Sequence, residues 1–143
     1  METGFTNLTE QAILLALIAH NNQKDKRGLP YILHSLAVAN DPSLTSEEEI
    51  QTAALHDTLE DTDMDVGLIE RCFGKKVRDA VEAISKRKGE KLEEYWARVM
   101  ANPMALKVKF ADIKHNMSRL CFLPDGERIR LTKKYEKALS FFG

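Results

Sequence analysis

The sequence predicts an all-α fold, a single helical bundle over residues 1–143, and three observations carry that prediction. No run shows the sustained period-two alternation and β-branched enrichment that a half-buried sheet requires. Asn7 with Glu10, and Ser46 with Glu49, have the spacing of a helix-opening capping box. Glycine and proline fall between the apolar stretches, where they end or open helices.

The elements follow in order. Asn7 opens a helix over about Leu8 to Gln23, and a Gly-Leu-Pro break separates it from the next. Pro30 stands near the first turn of a second helix that runs to about Asn40, because its fixed φ suits a helix start. Ser46 opens a third helix through roughly Leu59. Further helical segments are expected near Asp65–Phe73, Lys75–Lys86 and Glu90–Ala101, with Gly74 and Gly89 as stops. Pro103 opens a long segment through Leu120, and Glu127 to Phe142 reads as the last helix.

With 43% apolar and 30% charged residues, 143 positions suit one domain with a real core. A net charge of −1 excludes binding of polymeric nucleic acid through bulk positive charge. The longest apolar run, Ala12 to Ala19, is far too short for the ~20 residues of a membrane span, so no membrane association is expected. Glu2 and Glu10 stand where a secretory leader would be basic. Cys72 and Cys121 form no metal or redox pattern, which suits reduced thiols in a cytoplasmic protein.

Charge is segregated along the chain. Between Gly28 and Glu70 there are ten acids and no Lys or Arg, which leaves 21 bases against 12 acids elsewhere. That pattern suggests an acidic site able to take a cation, facing a basic region able to hold an anion. Glu47 to Glu49 read as a solvated face.

The chemistry concentrates in Leu55-His56-Asp57-Thr58-Leu59-Glu60-Asp61-Thr62. Residues three and four apart share a helix face, so His56, Asp57, Glu60 and Asp61 can address one volume. Three carboxylates around an imidazole repel one another unless a cation intervenes, and the apolar Ala53, Ala54, Leu55 and Leu59 make unpaired ions costly there. Imidazole with carboxylate suits Mn, Fe, Zn or similar ions. Two more ligands are on offer. His34 follows the constrained Pro30 turn on a mostly apolar helix, and Asp112 shares an inward face with Val108 and Asn116. Taken singly, His34 also fits a hydrogen-bonded core histidine, and Asp112 a salt bridge or helix cap. Together, His34, His56, Asp57 and Asp112 make a His₂Asp₂ metal set.

These segments resemble a known family. Ala19-His20-Asn21-Asn22-Gln23, the Lys26 to His34 stretch ending Pro30-Tyr31-Ile32-Leu33-His34, the Ala54 to Thr62 block, Phe73-Gly74, and Val108 to Asp112 followed by His115-Asn116 occur in the order seen in HD-domain metal phosphohydrolases. The similarity is to the hydrolase domains of Rel/SpoT-type alarmone enzymes and their free-standing small relatives. It implies a single HD-domain helical bundle whose metal, commonly Mn2+, is held by His34, His56, Asp57 and Asp112. It implies that Glu60 and Asp61 position and activate water, and that Lys26, Asn116 and, more loosely aligned, Tyr135 contact a small-molecule nucleotide substrate. The implied reaction is release of pyrophosphate from guanosine-3′,5′-bis(diphosphate). The alternatives are an HD phosphohydrolase of another nucleotide or phosphorylated metabolite, and a non-catalytic metal- or nucleotide-binding regulatory module. At this length no appended synthetase domain is expected, and a homo-oligomer is left open.

Three positions depart from the pattern: Asp25 where long relatives often carry a guanine-stacking arginine, Ile113 where many carry Arg or Lys, and Asn22 in place of a glycine. His20 reads as a supporting or packing residue, and His115 as a neighbour of the site with no ligand role required. Lys86, Arg87, Lys88 and Lys91 read as an exposed basic turn, and Tyr95 and Trp96 as packing or oligomer contacts.

Overall fold

A computed structural model describes residues 7–143; residues 1–6, Glu2 among them, lie outside the described residues. The elements are α1 (Leu8–Ala19), α2 (Ile32–Ala39), α3 (Glu47–Leu55), α4 (Thr58–Asp61), α5 (Val66–Phe73), α6 (Lys75–Ile84), α7 (Leu92–Met100), α8 (Pro103–Ser118), a 3₁₀ turn (Leu120–Phe122) and α9 (Asp125–Phe142). Among the described residues, β-type pairing is confined to one isolated bridge between Lys24 and Pro30. No described helix is long and apolar enough to cross a membrane.

Local chemistry accounts for the boundaries. Ser46 and Glu49 form the expected reciprocal box at the start of α3. Asn7 caps α1 with a single side-chain bond from the Thr9 amide, and its own amide donates to Glu47 on α3. Helix α1 stops at Ala19 rather than Gln23, because Asn22 adopts a left-handed φ of 66° that asparagine tolerates better than most residues. The expected third helix is broken at His56–Asp57. His56 Nδ1 donates to the Ala53 carbonyl and Thr58 Oγ1 to that of Leu55, so side chains take carbonyls that helical amides would otherwise use.

The main core joins α1, α2, α3, α5, α6 and α8 through Val38, Leu55, Ile69, Val77, Val81 and Val108, all buried. Burying such side chains contributes roughly 1.5–3 kcal/mol each relative to exposure. Ala12, Ala16, Ala53 and Ala54 let α1 and α3 approach closely. A second cluster of Tyr95, Trp96, Val99, Ile113, Ala138 and Phe142 ties α7 and α9 to α8. Helix α8 belongs to both clusters, and the chemistry-bearing residues lie along the seam between them.

Candidate metal centre

The His56–Asp57 break sets the floor of the site. It turns two successive side chains towards α2 and α8, where His34 and Asp112 await them. His34, His56 and Asp112 are buried, and Asp57 is 16% exposed. One potential ligand atom from each of the four lies within 4.8 Å of all the others, and among the described residues this is the one such grouping of His, Cys, Asp and Glu. His34 Nε2 is 2.9 Å and His56 Nε2 3.3 Å from Asp112 Oδ1. His56 Nε2 is also 3.0 Å from Asp57 Oδ2, with His34 Nε2 3.7 Å away from the same oxygen.

The outer contacts leave the inward atoms free to coordinate. His56 Nδ1 donates to the Ala53 carbonyl at 2.6 Å, which leaves Nε2 as the ring nitrogen that faces inward. His34 Nδ1 lies 2.8 Å from His115 Nδ1. Burial, reinforced by His34 and Arg119, pushes the His115 pKa down to about 4, so a neutral His115 can accept that proton. Asp112 Oδ1 also accepts from Asn116 Nδ2 at 3.0 Å, while Oδ2 accepts from Lys109 Nζ at 3.1 Å. Tyr31 donates its hydroxyl to Asp57 Oδ2.

The electrostatics have the form of a cation site. Burial opposes charge on His56, Asp57 and Asp112. Yet Asp57 and Asp112 hold the His56 pKa well above its ordinary value, while Lys109 and the two histidines hold Asp112 well below its own. Two carboxylates set beside two imidazoles call for compensating positive charge, and two nitrogen and two oxygen donors suit a divalent first-row metal. The residues therefore fit such an ion.

Above this floor is a cavity of about 180 Å³, adjoined by a second of about 460 Å³. Tyr31, Asp61, Asn116, Lys134 and Tyr135 line both. Glu60 and Asp61, on the short α4, line the first cavity together with Asp57. Burial, with the charges of Asp57 and Asp61, raises the Glu60 pKa against the bond it accepts from the Lys86 amide at 3.3 Å. Burial and Asp57 likewise raise that of Asp61. The helix break means that His56 and Glu60 do not share one regular helix face, as the spacing implied; both address the site from either side of a kink.

Asn116 and Tyr135 lie where the two cavities meet. Lys26 is on the rim of the larger one, ion-paired to Glu127 and away from the acidic floor. The basic turn divides: Lys86 lines the first cavity, whereas Arg87, Lys88 and Lys91 are exposed. Tyr95 and Trp96 are buried packing residues that also form cavity wall. His20 packs its ring on Tyr31, with centroids 4.9 Å apart.

Sequence reasoning gave no role to Tyr31, Lys109 or Lys134. Lys109 was open to detection, since it precedes Asp112 by three residues on one helix and so shares its face. Tyr31 and Lys134 reach the site only through the tertiary fold.

Known proteins resemble this chain in sequence and in fold. The family model described as HD domain matches residues 12–111. The chain is 34% identical over 140 residues to the bifunctional (p)ppGpp synthase/hydrolase SpoT of Escherichia coli strain K12, covering 87% of this chain and 20% of that protein. It is 33% identical over 135 residues to the guanosine-3′,5′-bis(diphosphate) 3′-pyrophosphohydrolase of Aquifex aeolicus, covering 87% and 19%. The chain thus spans about a fifth of the length of these curated relatives. A solved structure, described as a metazoan ortholog of SpoT that hydrolyzes ppGpp and plays a role in starvation responses, superposes with a TM-score of 0.81. At 24% identity over 99% of this chain and 88% of that one, it establishes the fold.

Proposed function

The chain belongs to the HD domain family, and from that premise we propose that it is a metal-dependent pyrophosphohydrolase acting on a guanosine 3′-diphosphate. His34, His56, Asp57 and Asp112 hold one divalent ion, manganese in this reading. The observation that supports this most is the convergence of four ligand atoms within 4.8 Å beside a cavity that Lys86, Lys109 and Lys134 also line. When bound, the ion lowers the pKa of water and polarises a phosphoryl oxygen.

The chain's own residues supply the rest. Glu60 and Asp61 orient the attacking water and take its proton, a task suited to a carboxylate whose pKa is raised. Water adds to the phosphorus attached to the ribose 3′ oxygen. That P–O bond breaks, the 3′ oxygen takes a proton, and diphosphate leaves carrying the water oxygen. Lys109 and Lys134 face the charge that collects on the phosphoryl oxygens. Asn116, Tyr135 and Lys26 contact the nucleotide, whose body occupies the larger cavity with Leu120, Leu123 and Leu131 as its apolar wall. The acids of the 28–70 stretch thereby face bases drawn from outside it, the arrangement that the charge segregation suggested. Both described cysteines are free, in keeping with a reducing, cytoplasmic setting.

A nucleotide panel tests the substrate. With manganese present, guanosine-3′,5′-bis(diphosphate) is expected to yield GDP and pyrophosphate, while GTP, which lacks a 3′ diphosphate, stays intact. Hydrolysis of GTP with the 3′-diphosphate compound untouched would overturn the substrate assignment.

A further inference from the structure

Asp25, one of the three departures from the family pattern, belongs to an unbroken line of side-chain hydrogen bonds that ends on the metal set. Its Oδ1 accepts from the amides of Arg27 at 2.8 Å and Leu29 at 2.9 Å. Its Oδ2 accepts from Arg119 Nη1 at 3.3 Å. Arg119 Nη2 donates to Asn116 Oδ1 at 3.0 Å, and Asn116 Nδ2 donates to Asp112 Oδ1 at 3.0 Å. The Asp25 side chain is only 8% exposed, and the loop that carries it is pinned by the Lys24–Pro30 bridge.

The chemistry of the donors gives this line a direction. A guanidinium can only donate, so the oxygen end of the Asn116 amide must face Arg119. The amide's NH₂ end must then face Asp112. With Arg119 absent or turned away, the amide is free to rotate by half a turn and present its oxygen to the carboxylate, where it repels. Asp25 in turn holds the guanidinium in place, and the same contact balances the Asp25 charge on the wall of the larger cavity.

We propose that Asp25 and Arg119 act as a positioning pair that sets the orientation of the Asn116 amide and, through it, of the Asp112 carboxylate at the metal centre. Asp25 therefore works on this site from the loop that forms the cavity wall, without touching the ion. The inference rests on the metal reading given above, and its test separates the two.

Asp25→Asn places an amide NH₂ against Arg119, and Arg119→Met removes both guanidinium bonds; neither change touches a ligand. The first readout is exchange of the Asn116 side-chain amide protons with water, followed by NMR on metal-free protein. Each variant is expected to speed that exchange by about tenfold or more, because a bond of the chain is lost. The second is manganese affinity by calorimetry, expected to fall roughly 10-fold in each variant, the lower end of the range for groups that support ligands from outside. The double variant should lose no more than either single one, since both break the same line. Unchanged amide exchange in both variants would overturn the pair's action on Asn116. Altered exchange with manganese affinity within twofold of the parent would overturn its action at the metal centre, as would losses that simply add. A parent protein that takes up no manganese would overturn the metal reading and the positioning role with it, while amide exchange would still decide whether the bonded line exists.

Discussion

Asp57→Ala is expected to leave the protein without bound metal after dialysis, with manganese affinity reduced by more than about 100-fold, beyond the ~10–100-fold typical of losing an outer partner. Asp57 Oδ2 is the oxygen towards which both imidazoles and the Tyr31 hydroxyl converge. Alanine removes one of two anionic donors, and with it half of the negative charge that makes the site hospitable to a dication. The parent and the variant would be compared by metal analysis and calorimetry, with circular dichroism to check that the helices remain. Unchanged metal content in a folded variant would show that the ligand assignment is wrong.

Glu60→Gln should separate metal binding from turnover. Glu60 faces the cavity from α4 and is absent from the four-residue cluster, so manganese affinity is expected to stay within a few-fold of the parent. Glutamine keeps an acceptor for the Lys86 amide but cannot take a proton from water. Turnover should therefore fall by ~10²-fold or more, the scale of general-base catalysis. Steady-state rates at saturating manganese check this, and full activity would remove Glu60 from the mechanism.

Much of the helical architecture was open to reading because helices announce their ends locally. The Ser46–Glu49 box, Gly74 at φ 92° and Pro103 in the first turn of α8 all act within a few residues of themselves. The break at His56–Asp57 was not open to reading. It depends on His56 and Thr58 side chains capturing backbone carbonyls, a competition that hydrophobic periodicity does not register. Spacing on an unbroken helix assigns His56, Glu60 and Asp61 to one volume, whereas the chain is interrupted between Leu55 and Thr58.

The same division runs through the site. His34, His56, Asp57 and Asp112 stand out because ionisable groups among apolar neighbours need a partner, and that need is visible in one dimension. The partners themselves are less so. Lys109 could be found from its i, i+3 relation to Asp112, but the bond between Arg119 and Asp25 spans 94 positions. From the sequence, Asp25 reads only as a departure at a position where long relatives often carry a guanine-stacking arginine. The fold gives that charge two backbone amides and a guanidinium, so it stands balanced at the cavity wall. Burial works against its ionisation, and those three contacts together still keep its pKa below the ordinary carboxylate value.

The most direct test of the whole account is pyrophosphate release from guanosine-3′,5′-bis(diphosphate) by the purified chain, with manganese added, then chelated, then restored. Release with manganese, arrest on chelation and recovery when the ion is returned are the expected results. No release from protein demonstrably loaded with metal, or release that chelation does not stop, would contradict it.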